Sequence, residues 1–302
     1  MCKKVSVVIP TYGGAEFLVR CIDSVLSQTY KEIEIIVVDD NGVGTNKQVD
    51  TAEVIKKYSE DSRVKYICHE VNKNGSAARN TGVMASSGEY IALMDDDDVF
   101  YPEKLERQVN LLDSLADDYA VVYCACDIYY NGAKIGESRA DKSGSLLFEC
   151  LSHKIQIAST SMLIRKSAYQ SIGGFDESFK RHQDWEFIAR LASKYLIKAD
   201  NFLGFKRILE LRNNLNTPEI YQDRRLYYLK KMEPLILSLP PRQQEEVLVQ
   251  NKIDVVIMYV KHKRYKDFLK EYRELSIGWR GVPCLINRFW KMVFRGRIRV
   301  DR

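Results

Sequence analysis

Four consecutive aspartates, Asp95 to Asp98, follow an apolar segment in the stretch EYIALMDDDDVFYPEKL. Adjacent carboxylates repel one another, so such a run at the end of a buried element needs a compensating charge. An acidic run is most often a solvated loop. Carboxylates spaced like those of Asp95 and Asp97, however, are hard oxygen ligands suited to Mg²⁺ or Mn²⁺. After an apolar strand, we interpret the run as a divalent metal site that would hold a diphosphate.

A second acidic site lies in VVDDNGVGTN, where Asp39 and Asp40 are followed by two glycines. The glycines resemble the start of a dinucleotide-binding fingerprint. The third glycine is missing, and no acidic partner for a ribose ends the next predicted strand. We therefore interpret Asp39 or Asp40 as an acceptor for a ring N–H of a base such as uracil.

Alternating strands and helices must position these acids. Apolar runs predict strands at 5–10, 33–40, 63–68 and 89–95, and helical spacing predicts helices at 16–28, 47–58 and 75–87. Such alternation with short connections predicts an α/β fold with a mostly parallel sheet covered by helices on both faces. Ligands bind beyond the carboxyl ends of the strands in such sheets. Both acidic sites, and the PTYGG loop after the first strand, are predicted to converge there.

The rest of the chain has different patterns. Asn131-Gly132 predicts a hairpin within 119–137, and a strand, a short helix and a glycine-rich turn are predicted within 158–179. A helix is predicted at 183–195. After Pro218, tyrosine- and lysine-rich helices are interrupted by a Pro-Pro pair at 240–241. We place a domain boundary near residue 215, which gives a first domain at 1–215 and a helical extension at 216–302.

Three segments of the sequence, in the same order along the chain, resemble a known family. They are VSVVIPTYGGAEFLVRCIDSVLSQTYKEIEIIVVDDNG, NGSAARNTGVMASSGEYIALMDDDDVFYPEKLERQV and GGFDESFKRHQDWEF. Together they resemble family 2 glycosyltransferases of the Rossmann-like GT-A fold, over roughly the first 210 residues. The resemblance implies an inverting, metal-dependent transfer of a sugar from a nucleotide-diphosphate donor, usually a UDP-sugar. The acceptor would be a glycan or a lipid-linked molecule in surface polysaccharide synthesis.

The resemblance also implies roles for individual residues. Asp97, with Asp95, would bind Mn²⁺ or Mg²⁺, and Asp184 of QDWEF would be the general base. Taken alone, an acid at that position could be present only because the helix dipole favours negative charge at a helix N-terminus. The Pro10 to Tyr12 loop would flank the base and Asp40 would contact it. The implied donor-binding residues are Pro10, Thr11, Tyr12, Asp40, Arg79, Asp95 and Asp96.

The sequence departs from the family at the metal site. Many members carry a histidine beyond the base segment that completes the metal shell, but this sequence has none between Trp185 and Tyr221. The segment FKRILELRNNLNT contains basic residues that could neutralise the diphosphate instead. The third metal ligand is therefore left open.

The net charge of +5 is concentrated in the C-terminal tail. Residues 275–302 contain seven basic residues and one acid, a charge of +6, which leaves −1 for the rest of the chain. Basic and aromatic residues alternate over 279–299 at a spacing typical of an amphipathic helix on an anionic membrane surface. A helix docked on the catalytic domain is an equal alternative. Nucleic acid is not expected as a partner, because the remainder is near neutral.

Composition excludes several classes of protein. Seven scattered cysteines predict reduced thiols in a cytoplasmic protein rather than a disulfide framework. No apolar run approaches the roughly 20 residues that cross a bilayer, and the N-terminal apolar run is too short for a signal peptide. We expect a cytoplasmic protein, peripheral at the inner face of the cell membrane. The alternative functions are a sugar nucleotidyltransferase, whose glycine-rich loop is absent at PTYGGAEF, and an inactive nucleotide-sugar- or membrane-binding module.

Overall fold

The computed structural model describes residues 3–209 and 217–274, together with positions 282 and 286. The chain divides into two compact units. The sheet unit is Met1–Leu146 with Ile157–Glu210, and the helical unit is Leu147–Gln156 with Leu211–Arg302. The boundary predicted near residue 215 and the tail at 279–299 lie outside the described residues, apart from the two isolated positions.

The described elements follow one another along the chain as nine strands and ten α-helices. The strands are β1 (Val5–Thr11), β2 (Ile33–Asp39), β3 (Val64–Cys68), β4 (Tyr90–Leu93), β5 (Val99–Phe100), β6 (Tyr119–Tyr130), β7 (Ala133–Glu137), β8 (Met162–Arg165) and β9 (Leu196–Leu209). The helices are α1 (Ala15–Leu26), α2 (Asn46–Ile55), α3 (Gly75–Met84), α4 (Lys104–Asp113), α5 (Leu147–Leu151), α6 (Lys166–Ser171), α7 (Gln183–Ala192), α8 (Pro218–Leu237), α9 (Pro241–Lys261) and α10 (Tyr265–Glu274).

All nine described strands form one sheet in the order β3-β2-β1-β4-β8-β6-β9-β5, with β7 paired to β6. The first four strands pair in parallel, as the alternation predicts. Beyond β4 the sheet is mixed: β8 is antiparallel to both its neighbours, and β9 is parallel to β6 but antiparallel to β5. The parallel part therefore ends at β4, whose carboxyl end leads into the acidic run.

Helices cover both faces of the sheet. One apolar cluster joins α1 and α4 to the strands through residues such as Leu18, Leu105 and Ile35. On the opposite face, Ala78 of α3 packs with Val38 of β2. Burial on both faces explains why β1 and β2 are nearly continuous apolar runs rather than alternating ones.

The predicted hairpin is present as β6 and β7, and its turn has positive φ angles at Asn131 (48°) and Gly132 (77°). That geometry explains the Asn-Gly pair. The strand β9 was not predicted, because LIKADNFLGFKRIL follows neither a two-residue nor a helical periodicity. Its position is instead fixed by pairing with β6 and β5 on its two sides.

In the helical unit, α8 and α9 are separated at Pro240-Pro241, as predicted. The side chain of Arg225 is 1% exposed and donates hydrogen bonds to His153 Nε2 (2.6 Å) and Asn251 Oδ1 (3.1 Å). The amide of Asn251 also donates to the carbonyl of Leu151 (3.0 Å). Arg225 and Asn251 thereby anchor α5 and the turn after it. No helix in the described part of the chain is long and apolar enough to cross a membrane.

The contact of α3 with the sheet requires glycine at position 82. A Cβ on Gly82 would overlap Val8 Cγ1 and lie 3.2 Å from Val38 Cγ2, and both valines are fully buried. We expect Gly82→Ala to lower the free energy of unfolding by about 1–3 kcal/mol, because a packed core cannot yield to the added methyl group. Urea denaturation measures this change.

Gly136→Ala in β7 is the matched control. A Cβ there meets no atom within 4 Å, so the free energy of unfolding should change by less than about 0.5 kcal/mol. Equal stability of the two variants would contradict the close packing of α3.

Candidate functional site

The carboxyl ends of β1, β2 and β4 lie side by side, because β1 pairs in parallel with both other strands. Pro10 and Thr11 are the last two residues of β1. The hydroxyl of Thr11 donates to Asp96 Oδ2 (2.6 Å), and its carbonyl accepts from the backbone N–H of Asp40 (2.9 Å). Thr11 thus links the acidic run to the second acidic site, and the predicted convergence of the three strand ends is present.

Tyr12, the next residue, is half-exposed at 52%. The ammonium group of Lys47 lies over its ring, 4.3 Å from the centroid. The exposed part of the ring offers a stacking surface next to the end of β1.

The buried carboxylate of Asp40 organises the loop between β3 and α3. Its Oδ1 accepts from His69 Nδ1 (2.7 Å) and the backbone N–H of Lys73 (2.7 Å). Its Oδ2 accepts from the side chain of Asn72 (2.9 Å) and the backbone N–H of Asn74 (2.8 Å). Four donors occupy the lone-pair sites of a carboxylate. A base could therefore bind Asp40 only in exchange for one of these hydrogen bonds.

His69 extends this network to α3. Because Nδ1 faces a carboxylate, it carries the proton, and Nε2 accepts from the hydroxyl of Thr81 (2.9 Å). Asn74 caps the same helix, since its Oδ1 accepts from the backbone N–H of Ser76 (2.8 Å). Asp40 therefore determines where α3 begins and how it is oriented.

The helix α3 carries Arg79, whose NH2 group pairs with Asp95 Oδ1 at 2.7 Å. The hydroxyl of Ser159 also donates to Asp95 Oδ1 (3.3 Å). Burial alone would raise the pKa of Asp95, but the charge and hydrogen bond of Arg79 hold that pKa below its ordinary value. Asp95 is therefore ionised at neutral pH and already shares one oxygen with a guanidinium.

Asp97 is half-buried, and its backbone carbonyl accepts from Arg20 NH2 (3.1 Å). Asp98 is buried, and its Oδ1 accepts from the backbone N–H of Ile208 in β9 (3.1 Å). Burial raises the pKa of Asp98 well above its usual range, with further contributions from Asp97 and Asp95. The raised pKa favours the uncharged form of the Asp98 carboxyl, which lessens the repulsion within the run.

The donor set fits a divalent ion only in part. Within the described residues, no three His, Cys, Asp or Glu side chains are grouped as a metal site. Asp95 and Asp97 are nonetheless hard oxygen donors, and Mg²⁺ is usually held by one or two carboxylates, water and substrate phosphates. The two aspartates suit a metal that arrives with a diphosphate.

Asp184 is the second residue of α7, in its first turn. Partial burial raises the pKa of this carboxyl, whereas Arg207 and then Arg79 lower it. Asp95 raises it further. Charges from the acidic run, α3 and β9 thus all act on Asp184, although it is remote from them in the sequence.

The loop before α7 is held by Asn80, a residue that sequence reasoning missed. Its Oδ1 accepts from Tyr169 Oη (2.7 Å) and the backbone N–H of Phe175 (2.9 Å), and its Nδ2 donates to Glu177 Oε1 (2.9 Å). A Cβ on Gly174, whose φ is +70°, would lie 2.6 Å from Asn80 Oδ1. The glycine pair in GGFDE was the available signal, because it indicates a close approach of side chain to backbone.

Of the basic residues in FKRILELRNNLNT, Lys206 and Arg207 are described, and Arg212 lies outside the described residues. Lys206 lies over the rings of Tyr101 and Tyr129, at 5.8 and 5.5 Å from their centroids. Only Arg207 of the two acts on the carboxyls of the site. Arg207 lies beyond the base segment, in the region where many family members carry the histidine that completes the metal shell.

Comparison with known proteins identifies the family. The family profile described as "Glycosyl transferase family 2" matches residues 6–173. An uncharacterized glycosyltransferase of Rickettsia prowazekii is 31% identical over 249 residues, which cover 76% of this chain and 72% of the relative. The amylovoran biosynthesis glycosyltransferase AmsB of Erwinia amylovora is 31% identical over 217 residues, covering 68% and 66%. Some relatives are longer, and the match spans 28% of one from Rickettsia bellii. The chain belongs to glycosyl transferase family 2.

Solved structures share its fold. The S. aureus TarS structure with UDP-GlcNAc has a TM-score of 0.60 at 16% identity, covering 92% of this chain and 91% of that one. The mannosyltransferase PcManGT of Pyrobaculum calidifontis, solved with GDP-Man and Mn²⁺, has a TM-score of 0.63 at 13% identity, covering 97% and 81%. The GT-A fold with C-terminal helices is confirmed, as is the family that the motifs resemble.

The network around Asp40 leads to a test of its role. In Asp40→Asn, whichever oxygen becomes an amide nitrogen faces two donors, so hydrogen bonds to the β3–α3 loop are lost. We expect the free energy of unfolding to fall by about 1–3 kcal/mol, and UDP affinity to fall with it because Arg79 is displaced. Urea denaturation and calorimetry measure the two effects.

Asp50→Asn is the matched control, because Asp50 is exposed on α2. It should change the free energy of unfolding by less than about 0.5 kcal/mol. If Asp40→Asn loses UDP affinity at unchanged stability, Asp40 contacts the base directly.

Proposed function

We propose that this chain is an inverting glycosyltransferase that moves a sugar from a nucleotide-diphosphate donor, a UDP-sugar, to a hydroxyl of a glycan or lipid-linked acceptor. One observation carries the proposal. The carboxyl of Asp184 is acted on by the same residues, Arg79 and Asp95, that pair with each other beside the strand ends. A candidate base thus stands next to a candidate donor site.

The donor class is supported by the solved relatives. TarS was solved with UDP-GlcNAc and PcManGT with GDP-Man, so a nucleoside diphosphate sugar is the common chemistry. The exposed ring of Tyr12 would stack on the base, and Arg79 would meet the nucleotide beside Asp95. The name of AmsB, an amylovoran biosynthesis protein, supports a role in surface polysaccharide synthesis.

The transfer requires one base and one stabilised leaving group. Asp184 would take the proton of the acceptor hydroxyl while that oxygen forms a bond to the anomeric carbon. The bond from this carbon to the diphosphate breaks at the same time, and its electron pair goes to the diphosphate oxygen. Attack from the face opposite the leaving group inverts the configuration. A carboxylate whose pKa is raised is a stronger base than ordinary aspartate, provided that it stays ionised.

Asp97 and Asp95 would hold Mn²⁺ or Mg²⁺, which would supply positive charge to the diphosphate oxygens. Asp95 can serve this role because Arg79 occupies only one of its oxygens in the described contacts. Thr11 holds Asp96 by a hydrogen bond (2.6 Å), and Asp96 would contact the ribose of the donor.

Two other functions are distinguished by simple assays. A sugar nucleotidyltransferase would form nucleotide-sugar from sugar phosphate and nucleoside triphosphate. An inactive binding module would bind UDP without turnover. Hydrolysis of a UDP-sugar in the presence of Mn²⁺ supports the proposed enzyme over both.

A lipid-linked acceptor would suit a peripheral position at the inner face of the membrane, through the basic tail.

The base assignment is tested by Asp184→Asn. Asparagine keeps the size of aspartate but cannot take a proton, so we expect turnover to fall by roughly 10² to 10⁴. UDP affinity should change little, because donor binding rests on Arg79, Asp95 and Asp97. Measurements of kcat for UDP release and of the UDP dissociation constant separate the two effects.

The pH profile gives a second measure of the same residue. The wild-type rate should fall as pH falls through the pKa of Asp184, which is raised above the ordinary value of about 3.9, because the protonated acid cannot accept a proton. Turnover retained in Asp184→Asn would move the base elsewhere, with Glu177 the next candidate. Loss of UDP binding would assign Asp184 to the donor site.

The metal assignment is tested by Asp97→Ala. We expect UDP binding in Mn²⁺ to weaken by roughly 10- to 100-fold or more, since even residues that only support metal ligands contribute this much to metal affinity. Calorimetry with and without chelator measures it, and chelator should have little further effect on the variant. Wild-type activity in Asp97→Ala, or in excess chelator, would show that the metal is not required.

A further inference from the structure

Arg207 lies beside the acidic run because of how β9 pairs. In the register, Arg207 is opposite Ile128 of β6, and Lys206 is opposite Val99, the residue that follows Asp98. The next residue, Ile208, donates its backbone N–H to Asp98 Oδ1 at 3.1 Å. The acidic run is thus tied directly to the strand that carries Arg207.

Neighbouring side chains of a strand point to opposite sides, and this separates the two basic residues of β9. Lys206 lies over two tyrosine rings. On the other side, the charge of Arg207 acts on Asp95, Asp98 and Asp184. Arg207 therefore lies among the carboxyls of the site, and Lys206 does not.

The two guanidinium groups of the site are engaged differently. Arg79 is committed to Asp95 at 2.7 Å and to the carbonyl of Gly75 at 3.2 Å. The side chain of Arg207 is half-buried and makes no hydrogen bond or ion pair with any residue in the described ranges 3–209 and 217–274. Within the described residues, the guanidinium of Arg79 is thus used to hold the protein itself, whereas that of Arg207 is not.

A donor diphosphate would enter an edge that is already negative. The run of residues 95–98 and Asp184 supply carboxyls, and one guanidinium among them is already paired. A metal held by two aspartates adds only two positive charges. A further cation is needed to bind the diphosphate and to stabilise the charge that remains on it when the sugar leaves.

We propose that Arg207 is a catalytic residue that donates hydrogen bonds to the donor diphosphate and neutralises the charge on the leaving oxygen. This inference rests on the proposed glycosyl transfer. The planar guanidinium presents paired N–H donors that match two phosphate oxygens, which a lysine cannot do. When the bond to the anomeric carbon breaks, the electron pair on the diphosphate oxygen is met by these donors, and Arg207 itself keeps its protons.

The experiment compares Arg207→Met with Lys206→Met. Both changes remove one positive charge from adjacent positions of β9 and keep a long apolar side chain. The assay is UDP release from the UDP-sugar that the wild-type protein hydrolyses fastest, in Mn²⁺, together with calorimetric UDP binding. We expect Arg207→Met to lower kcat by roughly 10² to 10³, as for loss of a donor to a developing oxyanion. Lys206→Met should retain kcat and UDP affinity.

Two further measurements separate charge from folding. Arg207→Lys should recover part of kcat, because it restores the charge but not the fork of donors. Guanidinium ion, at concentrations too low to unfold the protein, should restore part of the rate of Arg207→Ala and leave Lys206→Met unaffected. A merely structural arginine would not give this rescue, and thermal unfolding shows whether each variant is folded.

The inference is overturned if Arg207→Met keeps wild-type kcat and UDP affinity. It is also overturned if the two methionine variants lose activity equally and guanidinium ion does not restore the rate of Arg207→Ala. In either case Asp184→Asn would still show its expected loss of turnover, so the proposed function would stand. A wild-type protein that binds no UDP and hydrolyses no nucleotide-sugar overturns both.

Discussion

Repulsion among the carboxyls that follow β4 is the constraint on which the candidate site depends. Each neighbouring element reduces it in part. Thr11 at the end of β1 donates to Asp96, Arg79 on α3 pairs with Asp95, and the backbone of β9 donates to Asp98. The carboxyls therefore connect three parts of the sheet unit that are distant in sequence. The charge that these contacts do not neutralise is the physical basis of the proposed metal site and of the role proposed for Arg207.

The arginine–aspartate pair at this edge depends on residues that do not touch it. Asp40 accepts hydrogen bonds from four donors of the β3–α3 loop. One of these donors, His69, is also hydrogen-bonded to Thr81 on α3. The same helix holds the loop before α7 through Asn80. Movement of α3 would thus displace Arg79 and the loop before α7 together, so the proposed donor site and the proposed base depend on the same helix.

Sequence patterns predicted the first half of the fold, where local and tertiary preferences agree. Continuous apolar runs indicated β1 and β2, and Asn131-Gly132 indicated the hairpin. The strand β9 escaped prediction because pairing on both sides, rather than periodicity, holds it in the sheet. Asp95 was proposed from the acidic run that follows a predicted strand, whereas Asp184 was proposed because linked motifs resemble a family. The hydrogen bonds between Asp40 and the β3–α3 loop could not be predicted from the sequence, since hydrogen-bond partners depend on three-dimensional placement.

The segment Leu147–Gln156 belongs to the helical unit although it lies between β7 and β8 in the chain. A single cut near residue 216 would therefore not separate the units cleanly. The shortened protein would keep His153 and Leu151 but lose Arg225 and Asn251, the donors that bind them. Each buried polar group left unsatisfied costs about 1–3 kcal/mol. The helical unit is thus not an interchangeable module: in a graft, a fusion or a gene rearrangement, it must be transferred with this internal segment or left out with it.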